Sequence, residues 1–191
     1  MPIEIEAKMR LADPADARKR LAKLGARQGS TVHETNRFFD TRDGALRAAD
    51  RGLRLRVARD LDTDGQSATL TYKGPREAGQ LKQREEIELP VDAPTAAAEL
   101  LQRLGFTQIF SFEKRRQSWQ LDDCHVLLDH LPYLGDYMEI EGPSPQAVEA
   151  VRRKLGMQDV PLIHSHYVAL LVEHLTDRNL PTDRAHFDNA T

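Results

Sequence analysis

The sequence predicts an α+β fold in which strands close into a β-barrel around a lumen of charged side chains, with short helices packed outside. Three observations carry that reading. Several strand-like segments alternate charged with apolar residues, so each has one charged and one apolar face. Short amphipathic helices are bracketed by clear start and stop residues. The order of strand, helix and strand recurs along the chain at a fixed spacing. At 191 residues the chain is long enough for one domain with a substantial core. No stretch is rich enough in Pro, Gly or Ser to divide it. Residues 1–176 are therefore expected to form a single domain, followed by a tail over 177–191 whose weak periodicity suits partial disorder.

Each element has its own signal. Asp13-Pro14 supplies an N-cap and a first-turn proline, and Leu21, Leu24 and Gly25 complete a short helix. Pro94 to Leu104 forms a second helix, stopped by Gly105. Ser144-Pro145 opens a third, with Val148, Val151 and Leu155 on one stripe and Gly156 as its stop. A fourth runs from about His164 to Leu175, and His164 and His166 at its start are expected at the surface. Strands are predicted over 38–41, 53–59, 68–73, 84–89, 111–121 and 125–129, with Gly44, Gly65, Gly74-Pro75 and Gly79 turning the chain between them. Residues 75–80 read as a hairpin loop.

Shifting the chain by 80 positions places Pro14 on Pro94, Leu21 on Leu101, Leu24 on Leu104 and Gly25 on Gly105. Residues 138–156 repeat the theme with a shorter connection.

Composition removes several function classes. The 27 Lys and Arg against 30 Asp and Glu give a formal net charge of -3, without the basic excess that coating nucleic acid or an acidic membrane requires. With 6% aromatic residues there is little material for a base-stacking platform. The lone Cys124 excludes an internal disulfide framework and fits a reducing compartment. The segment MPIEIEAKMRL has neither a basic nor an apolar leader region, and the apolar stretch 167–172 is too short to span a bilayer. A cytoplasmic protein with neither nucleic acid nor membrane as partner is expected.

The strands carry the chemistry. Glu4, Glu6 and Lys8 share a face opposite Ile3, Ile5, Ala7 and Met9. Arg54 and Arg56 oppose Leu53, Leu55 and Val57. Arg84, Glu86 and Glu88 oppose Ile87 and Leu89, and Glu139 and Glu141 oppose Met138 and Ile140. Lys114 and Arg116 form a further pair, and Lys73 and Asp129 lie near the ends of two more predicted strands. Taken singly, each is what a sheet with one solvated face shows. Taken together, five strands carry charged pairs or triplets sorted by sign. Helices covering the apolar faces would leave the charged faces looking at one another. So many enclosed charges are tolerable only if they pair or hold an ionic ligand.

Arg54, Arg56, Lys73, Arg84, Lys114 and Arg116 suit several phosphoryl groups. Carboxylates beside them would repel phosphate unless a cation intervened. Glu4, Glu6, Glu86, Glu88, Asp129, Glu139 and Glu141 are the hard oxygen donors that Mg²⁺ or Mn²⁺ takes alongside substrate phosphates. The pattern points to divalent metal plus polyphosphate. There is no Gly-rich phosphate loop, Walker motif or dinucleotide fingerprint, and the seven His show no metal-ligand spacing.

These residues resemble a known family. Glu4-x-Glu6-x-Lys8 is similar to the ExExK signature of the CYTH superfamily, the triphosphate tunnel metalloenzymes. The similarity continues in order through Phe38-Phe39-Asp40-Thr41, Leu53-Arg54-Leu55-Arg56, Thr71-Tyr72-Lys73-Gly74-Pro75 and Arg84-Glu85-Glu86-Ile87-Glu88. It runs on through Phe112-Glu113-Lys114-Arg115-Arg116, Leu128-Asp129 and Glu139-Ile140-Glu141, spanning roughly residues 1–172. Within the superfamily, Asp129-His130-Leu131, Leu134-Gly135-Asp136-Tyr137 and Ser165-His166-Tyr167 resemble the class IV adenylyl cyclases. That branch also includes hydrolases of thiamine triphosphate and inorganic tripolyphosphate. Asn36 stands where relatives often carry an acid.

The resemblance implies an eight-stranded antiparallel tunnel, monomeric or homodimeric, that acts on triphosphates with Mg²⁺ or Mn²⁺. Glu4, Glu6, Glu139 and Glu141 are then expected to hold metal, with Asp129 and Glu88 completing the acidic cluster and Glu86 adding a further lumen acid. Lys8, Arg54, Arg56, Lys73, Arg84, Lys114 and Arg116 are expected to grip the triphosphate, with Lys8, Lys73 and Arg116 as catalytic candidates. The motifs leave cyclase and triphosphatase open, and a non-catalytic polyphosphate or nucleotide sensor is the reading from another class.

Overall fold

The computed structural model describes residues 3–76 and 82–187, with the side chains of residues 3, 4, 76, 82 and 83 outside that description. Among the described residues, nine strands and five helices follow one another: β1 (Ile3–Arg10), α1 (Pro14–Lys23), β2 (Arg27–Thr41), α2 (Ala45–Ala48), β3 (Gly52–Asp60), β4 (Gln66–Arg76), β5 (Lys82–Pro90), α3 (Pro94–Arg103), β6 (Phe106–Leu121), β7 (Cys124–Leu131), β8 (Gly135–Gly142), α4 (Pro145–Lys154), α5 (Tyr167–Asp177) and β9 (Arg184–Ala185).

Local chemistry sets the helix limits. The Asp13 carboxylate accepts hydrogen bonds from the backbone N–H groups of Ala15 and Asp16, and the Ser144 hydroxyl accepts one from Ala147. Prolines 14, 94 and 145 occupy first-turn positions, where a missing N–H costs nothing. Gly25, Gly105 and Gly156 lie just beyond α1, α3 and α4 at φ of +75°, +92° and +68°, a conformation a side chain would strain. The helices α1 and α3 are offset by 80 positions, as the internal repeat predicts.

Hydrogen-bonded neighbours run β2-β3-β4-β5-β1-β8-β7-β6, and pairing of β2 with β6 closes the ring. All eight contacts are antiparallel. A barrel of eight strands encloses a narrow lumen that side chains largely fill. Two of the three apolar cores lie outside it, under the helices. The largest packs Met9, Val126 and Ile140 under α1 and α4, through Leu21, Val148, Val151 and Leu155. A second lies on the lumen side: Phe112, Leu131 and Tyr137 share strand faces with Lys114, Asp129 and Glu139, and Tyr167, Leu171 and Leu175 of α5 pack on them. A third sets Phe39 and Leu55 against Ala98 and Leu101 of α3.

Several elements depart from the sequence reading. Strand β2 extends back to Arg27: from Val32 onward it pairs with both β3 and β6, and before that with β6, which compensates for a polar stretch with weak strand propensity. The fourth helix begins at Tyr167, three residues later than expected, with His166 as its N-cap. In the C-terminal segment β9 lies parallel to Ser111 and Phe112, Ala185 is buried, and His186 hydrogen-bonds Ser111. The expected loop over 75–80 falls partly in β4 and otherwise outside the described residues. Helix cover over β5 is also incomplete: Ile87 and Leu89 are 50% and 60% exposed, because α3 packs on β3 and β6 instead. Among the described residues no helix is long and apolar enough to cross a membrane.

Candidate active site

Strand alternation turns Glu6 and Lys8 of β1 into the lumen while Ala7 and Met9 are buried under the helices. The same logic aims Arg54 and Arg56 from β3, Lys114 and Arg116 from β6, and Glu139 and Glu141 from β8. Together with Lys73 and Arg84 they line one cavity of about 250 Å³. All seven cations expected to contact a triphosphate share it, and three of the expected acids do too.

Those acids form a triad. Glu6, Glu139 and Glu141 each place a carboxylate oxygen within 4.8 Å of the others, a hard oxygen donor set able to hold a divalent ion. Register produces this closeness, since Glu6 pairs with Glu141 and Lys8 with Glu139 across β1 and β8. The Lys8 ammonium lies 3.2 Å from Glu139 and 3.7 Å from Glu6, and 4.1 Å from the centre of the Tyr167 ring. The side chain of Glu4 lies outside the described residues.

The other expected acids sit among cations. Asp129 is buried and accepts hydrogen bonds from Lys114 at 3.1 Å, from Arg116 through both oxygens at 2.6 Å, and from the Tyr167 hydroxyl at 3.1 Å. Its lone pairs are largely committed to protein donors. Glu88 accepts from the Thr71 hydroxyl, lies 3.6 Å from Arg54 and is largely exposed. Glu86 is bound to Lys73. Arg116 reaches Glu139 as well as Asp129, linking the triad to the buried network. Arg84 is oriented by the carbonyl oxygens of Gly74 and Asp50.

Electrostatics follow from this packing. Burial raises the Glu34 carboxyl pKa, but Lys114, Arg56, Arg116 and Arg54 outweigh it and hold that group well below the usual carboxylate range. Burial, reinforced by Arg116, pushes the Lys114 ammonium down despite Asp129, Glu34 and Glu139. Arg116 is raised well above its ordinary value: desolvation opposes this, and Asp129 and Glu139 prevail. Burial and the neighbouring Asp129 and Glu139 charges push the Tyr167 hydroxyl well up, so it serves as a donor.

Sequence reasoning did not assign Glu34, Tyr167 or the cluster Arg47, Asp50 and Arg51 to the site. Glu34 and Asn36 share a face of β2 with Phe38, an alternation that could have been traced back from Phe38. Asn36 is buried, hydrogen-bonded to Glu34 and accepting from Arg56. Asp40 explains its motif differently. Its carboxylate accepts from the N–H groups of Thr41, Leu46 and Arg47, which organises α2. That turn brings Arg47, Asp50 and Arg51 to the cavity.

Residues 2–165 match the family model of the CYTH domain. A Methanocaldococcus jannaschii protein provisionally named an adenylate cyclase is 30% identical over 139 residues, covering 73% of this chain and 76% of the relative. The adenylate cyclase CyaB of Aeromonas hydrophila is 28% identical over 183 residues, 91% of each chain. The solved structure of the PH1819 protein from Pyrococcus horikoshii superposes with a TM-score of 0.78 at 26% identity, over 89% of this chain and 98% of that one. A closed barrel with its charges turned inward, matched along most of its length by this family model, places the chain in the CYTH domain family.

Proposed function

We propose that the protein is a metal-dependent enzyme acting on a triphosphate in the manner of a class IV adenylyl cyclase, converting ATP to cyclic AMP and pyrophosphate. The observation that carries this reading is the convergence of seven cationic side chains and a three-carboxylate cluster on one cavity. Relatives named as adenylate cyclases support the choice of reaction.

The donor set fits Mg²⁺ or Mn²⁺, which Glu6, Glu139 and Glu141 would hold, with Glu4 as a further candidate ligand. When bound, such an ion neutralises phosphoryl charge and favours loss of pyrophosphate. The cations hold the chain of phosphates in one orientation, so that a ribose hydroxyl need only approach the α-phosphorus. Lys8, Lys73 and Arg116 are the groups proposed to face the reacting phosphoryl oxygens. Each lies beside a carboxylate, which fixes the cation before substrate arrives and lowers the reorganisation needed.

The test is chromatography of products after incubation with ATP, thiamine triphosphate or tripolyphosphate and Mg²⁺ or Mn²⁺. Cyclic AMP with pyrophosphate establishes the cyclase. Orthophosphate with a diphosphate makes the protein a triphosphatase, and no turnover leaves a binding module. Arg84→Ala should lower kcat/KM at least ten-fold, about 1.4 kcal/mol of transition-state stabilisation, with little change in the unfolding midpoint. Loss of the folded state instead would remove Arg84 from the substrate clamp.

A further inference from the structure

The cavity is not charged throughout. Phe38 of β2, Ile109 of β6 and Val168 of α5 also line it. Ile109 is 44% exposed, so its side chain is open to a ligand at the cavity. Strict alternation along β6 would turn it away from the face that carries Phe110, Phe112, Lys114 and Arg116. A β-bulge breaks that alternation: Phe38 pairs with Phe110, whereas Phe39 pairs with Gln108, leaving Ile109 as the extra residue. Bulges re-aim side chains in this way, often beside binding sites. Phe38 is held flat against Phe112, with ring centroids 5.8 Å apart and planes 14° apart, so its position is set before any ligand arrives.

The apolar group adjoins some of the cations, since Phe38 pairs with Arg54 across β2 and β3, while Arg116 lies seven residues from Ile109 along β6, about 23 Å at about 3.3 Å per residue. A ligand that touches both kinds of group has a polyanionic part and an apolar, flat part. An inorganic polyphosphate has only the first. We infer that Phe38, Ile109 and Val168 form the subsite for the ring of an organic triphosphate, and that the Ile109 bulge sets preference for such a substrate over inorganic tripolyphosphate. This rests on the proposed triphosphate site and adds its specificity determinant. Contact with these side chains removes apolar surface from water on both partners, while the phosphates remain with the cations.

The test is isothermal calorimetry at 4 °C with Mg²⁺, using ATP and tripolyphosphate as probes on the wild-type chain and on the double variant Ile109→Ser with Val168→Ser. The inference predicts that ATP affinity falls at least five-fold while the ratio of ATP to tripolyphosphate affinity falls by the same factor. Retained tripolyphosphate binding doubles as the control for folding. A ratio unchanged within two-fold overturns the subsite and leaves the triphosphate site standing. Failure of the wild-type chain to bind either probe overturns both.

Discussion

Glu34 and Asp129 are neighbours in one acid–base network, and both are fixed by cations rather than by solvent. Glu34 lies 3.2 Å from Arg56 and 3.6 Å from Lys114. Removing one member of such a buried group strands the rest, typically at about 3–5 kcal/mol. The depressed Glu34 pKa also sets a pH dependence. A carboxyl held below its ordinary value of 4.5 stabilises the fold fully above that pH. Its contribution is lost as pH falls from there toward the folded value, because the unfolded chain takes up the proton first. Glu34→Gln should therefore lower the urea midpoint at pH 7 and flatten the decline of stability below pH 4.5. A variant whose midpoint falls with acid as steeply as wild type would remove Glu34 from that role. The sequence announced charges in pairs, and alternation sufficed to aim Glu6, Lys8, Arg54, Arg56, Lys114 and Arg116 inward. It could not separate the carboxylates that converge in the triad from Asp129, which is enclosed by Lys114, Arg116 and Tyr167, since both kinds follow the same alternation and Arg116 reaches Glu139 as well as Asp129.

At the scale of elements, close approach between β8 and its cover is the exposed point. A Cβ at Gly142 would lie 2.6 Å from the Cys124 sulfur and 3.0 Å from a Val148 methyl, with Cys124 itself fully buried. Gly142→Ala should cost about 1–3 kcal/mol, as overpacking does, read as a lower denaturant midpoint. Adding Cys124→Ala should recover part of that loss; a single variant as stable as wild type would show that the strand end yields freely. Helices were the most legible elements, because Asp13, Ser144 and the glycines after α1, α3 and α4 act locally. Strand β2 was the least legible. Its first eleven residues, Arg27 to Arg37, lack apolar alternation and form a strand because β6 pairs along them and β3 joins from Val32. Four-residue α2 likewise depends on the Asp40 carboxylate rather than on its own sequence.

For the whole molecule, closure of the ring through β2 and β6 decides everything else. It turns one face of every strand inward, removes the sheet edges, and forces the apolar faces to find cover outside. The resulting lumen places net positive groups around an acidic triad, an arrangement that favours a metal-bound polyanion over a bare one. Barrel and charged lumen followed from sequence patterns, while the closing pair and the exposed face of β5 depended on tertiary contacts no local pattern records. The most direct test is a titration of initial rate against Mg²⁺ or Mn²⁺ with ATP, comparing wild type, Glu141→Gln and Asp129→Asn. The account predicts no turnover without divalent metal, an apparent metal affinity at least ten-fold weaker for Glu141→Gln, and a lower rate with unchanged metal affinity for Asp129→Asn. Metal-independent turnover, or equal metal affinity in wild type and Glu141→Gln, would contradict it.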